Sequence, residues 1–117
     1  MAYDSSNIFA KILRGEIPSK PIYEDEFALA FHDIAPVAPT HILVIPKGDY
    51  IHYSHFMAHA PAALVQGFFK AVEAVAAQET LSDYRLVSNN GAGAGQSVPH
   101  FHVHLLAGKE FGALLTA

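Results

Sequence analysis

The feature that most constrains this chain is a seven-residue run near its C-terminus, His100-Phe101-His102-Val103-His104-Leu105-Leu106. Side chains of a β-strand point alternately to its two faces. A strand here therefore puts His100, His102 and His104 on one face and Phe101, Val103 and Leu105 on the other. Successive histidines then stand roughly 6.5–7 Å apart. The apolar set needs a covering layer, such as a helix. The histidine set needs polar partners or a ligand, because buried imidazole nitrogens without partners are costly. Three imidazoles in strict alternation bring little to a purely structural sheet. Imidazole is, however, a nucleophile, a proton carrier near neutral pH and a metal ligand.

The rest of the chain sets the limits. Its 117 residues, 51% hydrophobic and 15% charged, suit one domain spanning 1–117 with its own core. No internal repeat or low-complexity linker divides it. The chain has no cysteine, which excludes disulfides, thiolate metal sites and a thiol nucleophile. Seven basic residues against eleven acidic ones give a net charge of −4, which argues against a nucleic-acid binder. An anionic ligand would have to be held by local groups such as backbone N–H donors. The N-terminal stretch carries Asp4, Ser5, Ser6, Asn7, Lys11 and Arg14 and lacks the apolar run of a signal peptide. Residues 50–72 hold His52, His55, His59, Gln66 and Lys70 and are too polar to span a bilayer. The expected compartment is the cytoplasm, with no membrane contact.

Periodicity places the elements. Ile8, Phe9, Ile12 and Leu13 form one apolar face of a short helix over 7–14, which Gly15 ends. Strands are expected over 22–24 and 27–31, around the turn residues Asp25 and Glu26. Pro36 and Pro39 bar a regular element from 33–40. Residues 41–45 read as a buried strand ended by Pro46, Lys47 and Gly48. Residues 50–60 fit no single pattern. Pro61 suits the first turn of a long helix reaching about residue 78, with Leu64, Val65, Phe68, Phe69, Val72, Val75 and Ala76 as its apolar stripe. Strands over 84–89 and 100–106 flank a glycine-rich loop over 90–97. The expected class is α+β: a five-stranded, mainly antiparallel sheet with one short and one long helix.

Two chemistries suit the histidine row. Paired strand histidines bind zinc when another histidine or a carboxylate completes the shell. No acid is interleaved in the row, and Glu110 lies beyond Gly108. His52, His55 and His59 are either further ligands or polar residues on a surface turn. The metal-free alternative is nucleophilic and acid–base catalysis. The segment Asn89-Asn90-Gly91-Ala92-Gly93-Ala94-Gly95-Gln96-Ser97 abuts the row. Its three glycines allow close approach of backbone N–H groups to an anion, although a flexible hairpin would look the same. Phosphate donors beside imidazoles suit phosphoryl or nucleotidyl transfer.

The run from Gln96 to Leu106 resembles the signature of the histidine triad (HIT) family, His-x-His-x-His followed by two apolar residues. The resemblance extends to Asn7-Ile8-Phe9-Ala10-Lys11-Ile12, Phe31-His32-Asp33-Ile34, Pro39-Thr40-His41 and Val44-Ile45-Pro46-Lys47, in order, over nearly the whole chain. It is nearest to the Hint-type purine nucleoside phosphoramidases. The resemblance implies a HIT-like fold and a homodimer whose sheets join. It implies hydrolysis of purine nucleoside 5′-phosphoramidates, or related nucleotide esters, through a nucleotidyl-histidine intermediate. It calls for no cofactor and no metal.

The implied roles fall on particular residues. His102 attacks phosphorus, and the His100 carbonyl accepts the proton on its other nitrogen. His104 donates to a phosphate oxygen with His41 behind it as a relay, and Ser97 helps to hold the leaving group and phosphate. Asp33 matches the acid that binds ribose hydroxyls; read without the family, it is a turn acid before Pro36. Ile8, Phe9, Ile12, Phe31, His32 and Ile34 would line the base pocket, and all but His32 read equally well as core residues. Asn89, Gly95 and Gln96 match the phosphate and sugar side. The chain departs from some members in two places. Asn7 and Ala10 stand where a zinc-binding Cys-x-x-Cys occurs, and the tail over 111–117 has no Trp. A nucleotide-binding interaction module with incidental catalysis, and a metal-dependent hydrolase using the histidine row as ligands, are the alternatives.

Overall fold

The computed structural model describes residues 2–113, so residues 114–117 of the Trp-less tail lie outside the described residues. The elements are α1 (Ile8–Leu13), β1 (Tyr23–Glu24), β2 (Ala28–His32), β3 (Thr40–Pro46), α2 (Tyr53–His59), α3 (Ala62–Gln78), β4 (Arg85–Val87) and β5 (Val103–Ala107). The strands form one sheet in the order β1-β2-β3-β5-β4. Every pairing is antiparallel.

Local chemistry sets the boundaries. The Asn7 side chain caps α1 by accepting from the Ala10 N–H at 2.9 Å. Gly15, at φ +76°, ends α1 with the Glu16 N–H on the Lys11 carbonyl and the Gly15 N–H on the Ile12 carbonyl. Asp25 makes the turn into β2 by accepting from the N–H groups of Phe27 and Ala28.

The sheet has two differently used faces. Ala28, Ala30, Ile42, Val44, Val103 and Leu105 pack with Phe56 of α2 and with Phe68, Ala71, Val72, Val75 and Ala76 of α3. The opposite face carries Leu29, Phe31, Leu43 and Ile45, covered by Phe9 of α1. β3 is apolar on both faces because both are covered, which is why it reads as a continuous hydrophobic run. α3 carries Gly67 at a close approach: a Cβ there would stand 2.4 Å from the Phe27 ring.

Three features differ from the sequence reading. Residues 50–60 contain α2, a helix whose one fully buried side chain is Phe56 and whose cap is the His52 ring, accepting from the His55 N–H at 3.1 Å. One anchor in seven residues leaves no period to read. Phe69 belongs to the expected stripe of α3 but is exposed, beside the buried Phe68. The ladder of β5 starts at Val103 rather than His100, because the Phe101 N–H turns aside to the Tyr50 carbonyl at 2.7 Å. The alternation of side chains nevertheless begins before the ladder, with Phe101 in the helix-covered core. Among the described residues no helix is long and apolar enough to cross a membrane.

Phe101 packs in a ring cluster, 4.8 Å from Phe56 and 5.3 Å from Phe68 between centroids. Truncation of a buried Phe leaves a cavity as well as losing transfer energy. Phe101→Ala is expected to cost about 3–5 kcal/mol in urea unfolding, whereas Phe69→Ala costs under about 1 kcal/mol. Equal losses at the two positions would contradict the core assignment.

Candidate functional site

On the face shared by β3 and β5, four histidines are locked by hydrogen bonds that fix their tautomers. The His102 Nδ1 lies 2.7 Å from the His100 carbonyl. A carbonyl only accepts, so Nδ1 carries the proton and Nε2 keeps the lone pair. Among the described residues no buried side-chain nitrogen or oxygen lacks a partner. The unbonded Nε2 of His102 is therefore one that reaches the adjoining cavity. Burial lowers the His102 pKa below its usual 6.5, opposed by the hydrogen bond to His100. The ring is unprotonated at neutral pH.

A second chain of bonds orients His104. The Val37 N–H donates to His41 Nδ1 at 3.1 Å. His41 then carries its proton on Nε2 and donates it to His104 Nδ1 at 2.9 Å. His104 is left with Nε2–H as a donor. Burial, with His102 and His41 as further causes, pushes its pKa down to about 4, so this donor is a neutral imidazole. Asp33 stands beside the pair, its Oδ2 3.5 Å from His41 Nε2. Its Oδ1 accepts from the Ala35 N–H at 2.7 Å, so Asp33 both turns the chain and faces the site.

His100 itself points away from the cavity and is fully buried. Its Nε2–H donates to the Pro46 carbonyl at 3.0 Å, and its Nδ1 faces the Tyr3 hydroxyl at 2.6 Å. The Ser88 hydroxyl donates to the His102 carbonyl at 2.8 Å and holds the row from the β4 side.

A cavity of about 250 Å³ opens over these groups, lined by Ile8, Phe9, Ile12, Phe31, His32, Asp33, Ile34, Leu43, Ser97, Val98, His102 and His104. Phe9 packs edge-on against His102 with centroids 5.0 Å apart. A second hollow of about 490 Å³ shares Ile8, Ile12, Phe31, His32, Asp33 and Ile34 and continues to Lys20. Ile34 is 97% exposed at this rim. Apolar walls with a few polar anchors at one end suit a flat heterocycle carrying a polar tail.

Of the residues singled out in the sequence, His102, His104, Ser97, Asp33 and the six apolar-pocket residues line the cavity. His41 and His100 stand behind it. Asn89, Gly95 and Gln96 are not among its lining residues. Gln96 fastens the glycine loop, accepting from the Gly91 N–H and donating to the carbonyls of Ile51 and Val98. Asn89 lies against Gly95, which is left-handed at φ +96°. The loop is less open than its composition suggests: the N–H groups of Ala94, Gly95 and Gln96 bond within it. Among the described residues the amides of Ser97 and Val98 have no backbone partner, and these two line the cavity.

Leu43 and Val98 were missed in the sequence. Leu43 was findable, because it alternates with His41 on β3. The Val37 amide and the Tyr3 hydroxyl left no local signal. His52 and His55 serve α2: His52 caps it, and His55 Nδ1 accepts from the Ile51 N–H. Among the described residues one group of three ligand-type side chains gathers, Asp33, His41 and His104, with their atoms within 4.8 Å. The hydrogen bond between its two histidines uses His41 Nε2 and His104 Nδ1 and leaves His104 Nε2 open to the cavity.

Comparison with known proteins extends this picture. Residues 14–111 match the model of the HIT domain. The chain is 53% identical over 116 residues to an uncharacterized 13.2 kDa HIT-like protein of Azospirillum brasilense, covering 97% of this chain and 95% of that one. It superposes on a HIT family hydrolase from Clostridium thermocellum with a TM-score of 0.82 and 35% identity, over 97% of this chain and 99% of that one. A histidine triad nucleotide-binding protein from Candida albicans matches with a TM-score of 0.77 and 30% identity, over 96% and 87%. With its histidine row, its antiparallel sheet and these matches in agreement, the chain belongs to the HIT domain family.

Proposed function

We propose that this protein hydrolyses purine nucleoside 5′-phosphoramidates, or closely related nucleotide esters, through a covalent nucleotidyl-histidine. The observation that carries the reading is the free Nε2 of His102, held as a lone pair by the 2.7 Å bond from Nδ1–H to the His100 carbonyl. The named character of the neighbours, a hydrolase and a nucleotide-binding protein, supports it.

The base lies between Ile8, Phe9, Ile12 and Phe31, with His32 and Ile34 at the rim. Asp33 accepts the ribose hydroxyls, and the amides of Ser97 and Val98 meet phosphate oxygens. His102 Nε2 attacks the α-phosphorus in line with the leaving amine. The N–P bond to His102 forms as the bond from phosphorus to the amine breaks. His104 Nε2–H donates to the phosphoryl oxygens where charge develops. The amine leaves as the neutral amine, taking a proton from solvent at the open cavity, on the side where Ser97 holds it, while His41 keeps His104 in its donor tautomer. Water then attacks phosphorus, the bond to His102 breaks, the mononucleotide departs and the proton of water returns to solvent, leaving His102 neutral again.

The apolar surface suggests how a homodimer forms. Tyr53, Met57, Phe69 and Leu86 are exposed. Tyr53, Phe69 and Leu86 line one hollow with Val87, Phe101 and Val103, beside β4, which ends the sheet. A second copy pairing there covers the apolar residues and continues the sheet, as exposed strand edges favour. Sedimentation is expected to give two chains per particle for the wild type and one for Leu86→Asp. A wild-type mass of one chain contradicts this arrangement.

The catalytic reading predicts that His102→Ala removes at least about 10³-fold of kcat while keeping mononucleotide affinity, as loss of a covalent nucleophile should. EDTA leaves the rate unchanged. The pH dependence follows from the lowered His102 pKa: the lone pair survives below pH 6.5 and is lost only as pH falls through the lowered value. The acid limb of kcat/KM therefore has its midpoint below 6.5. Wild-type turnover in His102→Ala overturns the mechanism, whereas slow turnover of every phosphoramidate tried, together with tight mononucleotide binding, favours the binding-module reading. Activity that disappears with EDTA and returns with zinc favours the metal-dependent reading.

A further inference from the structure

We propose that the Tyr3 hydroxyl is a positioning group for the nucleophile, acting through the ring and peptide of His100 on His102. The inference rests on the catalytic reading above for its kinetic consequence, and on geometry alone for its structural one.

His102 keeps its reactive lone pair only while the His100 carbonyl accepts from its Nδ1. That carbonyl belongs to a residue outside the regular ladder of β5, which begins at Val103. The peptide is therefore not held by strand pairing at this point. It is held on one side by the Phe101 N–H on the Tyr50 carbonyl and on the other by the His100 side chain. The imidazole of His100 is used at both nitrogens. Nε2–H donates to the Pro46 carbonyl, which can only accept, so Nδ1 must be an acceptor. The Tyr3 hydroxyl, 2.6 Å away, is its donor.

Tyr3 comes from the opposite end of the chain, and its phenol packs edge-on to the His100 ring with centroids 5.7 Å apart. Burial raises the Tyr3 pKa, opposed by the nearby Asn7 side chain, so the group stays a phenol and can donate. Asn7 also caps α1, the helix that brings Ile8, Phe9 and Ile12 to the cavity. Phe9 in turn lies edge-on to both His100 and His102. Tyr3 thus joins the wall of the base pocket to the support of the nucleophile.

Removing the hydroxyl leaves His100 Nδ1 as a buried acceptor without a donor. The ring can regain a partner only by moving or by changing tautomer, and a change of tautomer breaks the bond to Pro46. Either response displaces the carbonyl that orients His102, while the base pocket and its ligand contacts remain. The expected signature is a fall in kcat without a matching change in KM.

The test compares wild type, Tyr3→Phe and Tyr3→Ala, with adenosine 5′-phosphoramidate as substrate and with ¹⁵N spectra of the histidine rings. In the wild type the His100 ring is expected as a single Nε2–H tautomer. In Tyr3→Phe, kcat is expected to fall about ten-fold with KM within about two-fold, and the His100 ring to show mixed tautomers or a moved titration. Tyr3→Phe matching the wild type in kcat and tautomer, with only Tyr3→Ala impaired, marks a packing role and overturns the proposal. A His100 ring unchanged in both tautomer and titration in Tyr3→Phe overturns it even if the rate falls. Absence of turnover in the wild type is a failure of the catalytic reading; the ring spectra then decide the Tyr3 proposal alone.

Discussion

The hydrogen bond from His102 to the peptide carbonyl of His100 is the contact on which the site depends. Imidazole has two nitrogens and, near neutral pH, one proton. A backbone carbonyl two residues away takes that proton's direction out of solution chemistry and fixes it, leaving the other nitrogen as a base facing the cavity. The same logic runs through its neighbours. The Val37 amide can only donate, so His41 must present N–H to His104, which must then present N–H to the cavity. One backbone acceptor and one backbone donor thus set opposite roles for two histidines on the same strand face. Burial reinforces both by keeping His102 and His104 neutral.

This arrangement is possible because the sheet separates stability from chemistry residue by residue. Phe101, Val103 and Leu105 sit in the core with α2 and α3, while the residues between them carry imidazoles. Packing on one face therefore holds the geometry on the other. A shift of one residue in register would send the histidines into the core and the apolar residues into the cavity, at a large cost to both. The observed pairings, Leu43 opposite His104 and Val44 opposite Val103, exclude that slip. α1 then closes the far side of the cavity with Phe9, which belongs to the second core cluster and also packs against the His102 ring.

Much of this was legible in the sequence, for identifiable reasons. The alternation from His100 to Leu106 gave both the strand faces and the row of imidazoles. The stripe from Phe68 to Ala76 gave α3, and the apolar pairs around Ile8 and Ile12 gave α1. What escaped was set by contacts distant in sequence or confined to one residue. α2 has one fully buried anchor, Phe56, and no period. Phe69 fits the apolar pattern of α3 but stays exposed at a hollow beside β4. Gln96 carries the residue type of a ligand contact, yet both ends of its amide bond backbone groups that tie the loop down, at Gly91, Ile51 and Val98. Tyr3 reaches its partner across 97 positions, and nothing near it in the chain announces the contact.

The central claim is that one imidazole nitrogen forms a transient bond to phosphorus. The most direct measurement is to quench the protein during turnover of a slow purine nucleoside phosphoramidate and map the modified peptide by mass spectrometry. The account predicts a mass increase of one nucleotidyl group on His102 and on no other histidine. An adduct on His104 or His41, or steady turnover with no covalent species at any time after mixing, would contradict it.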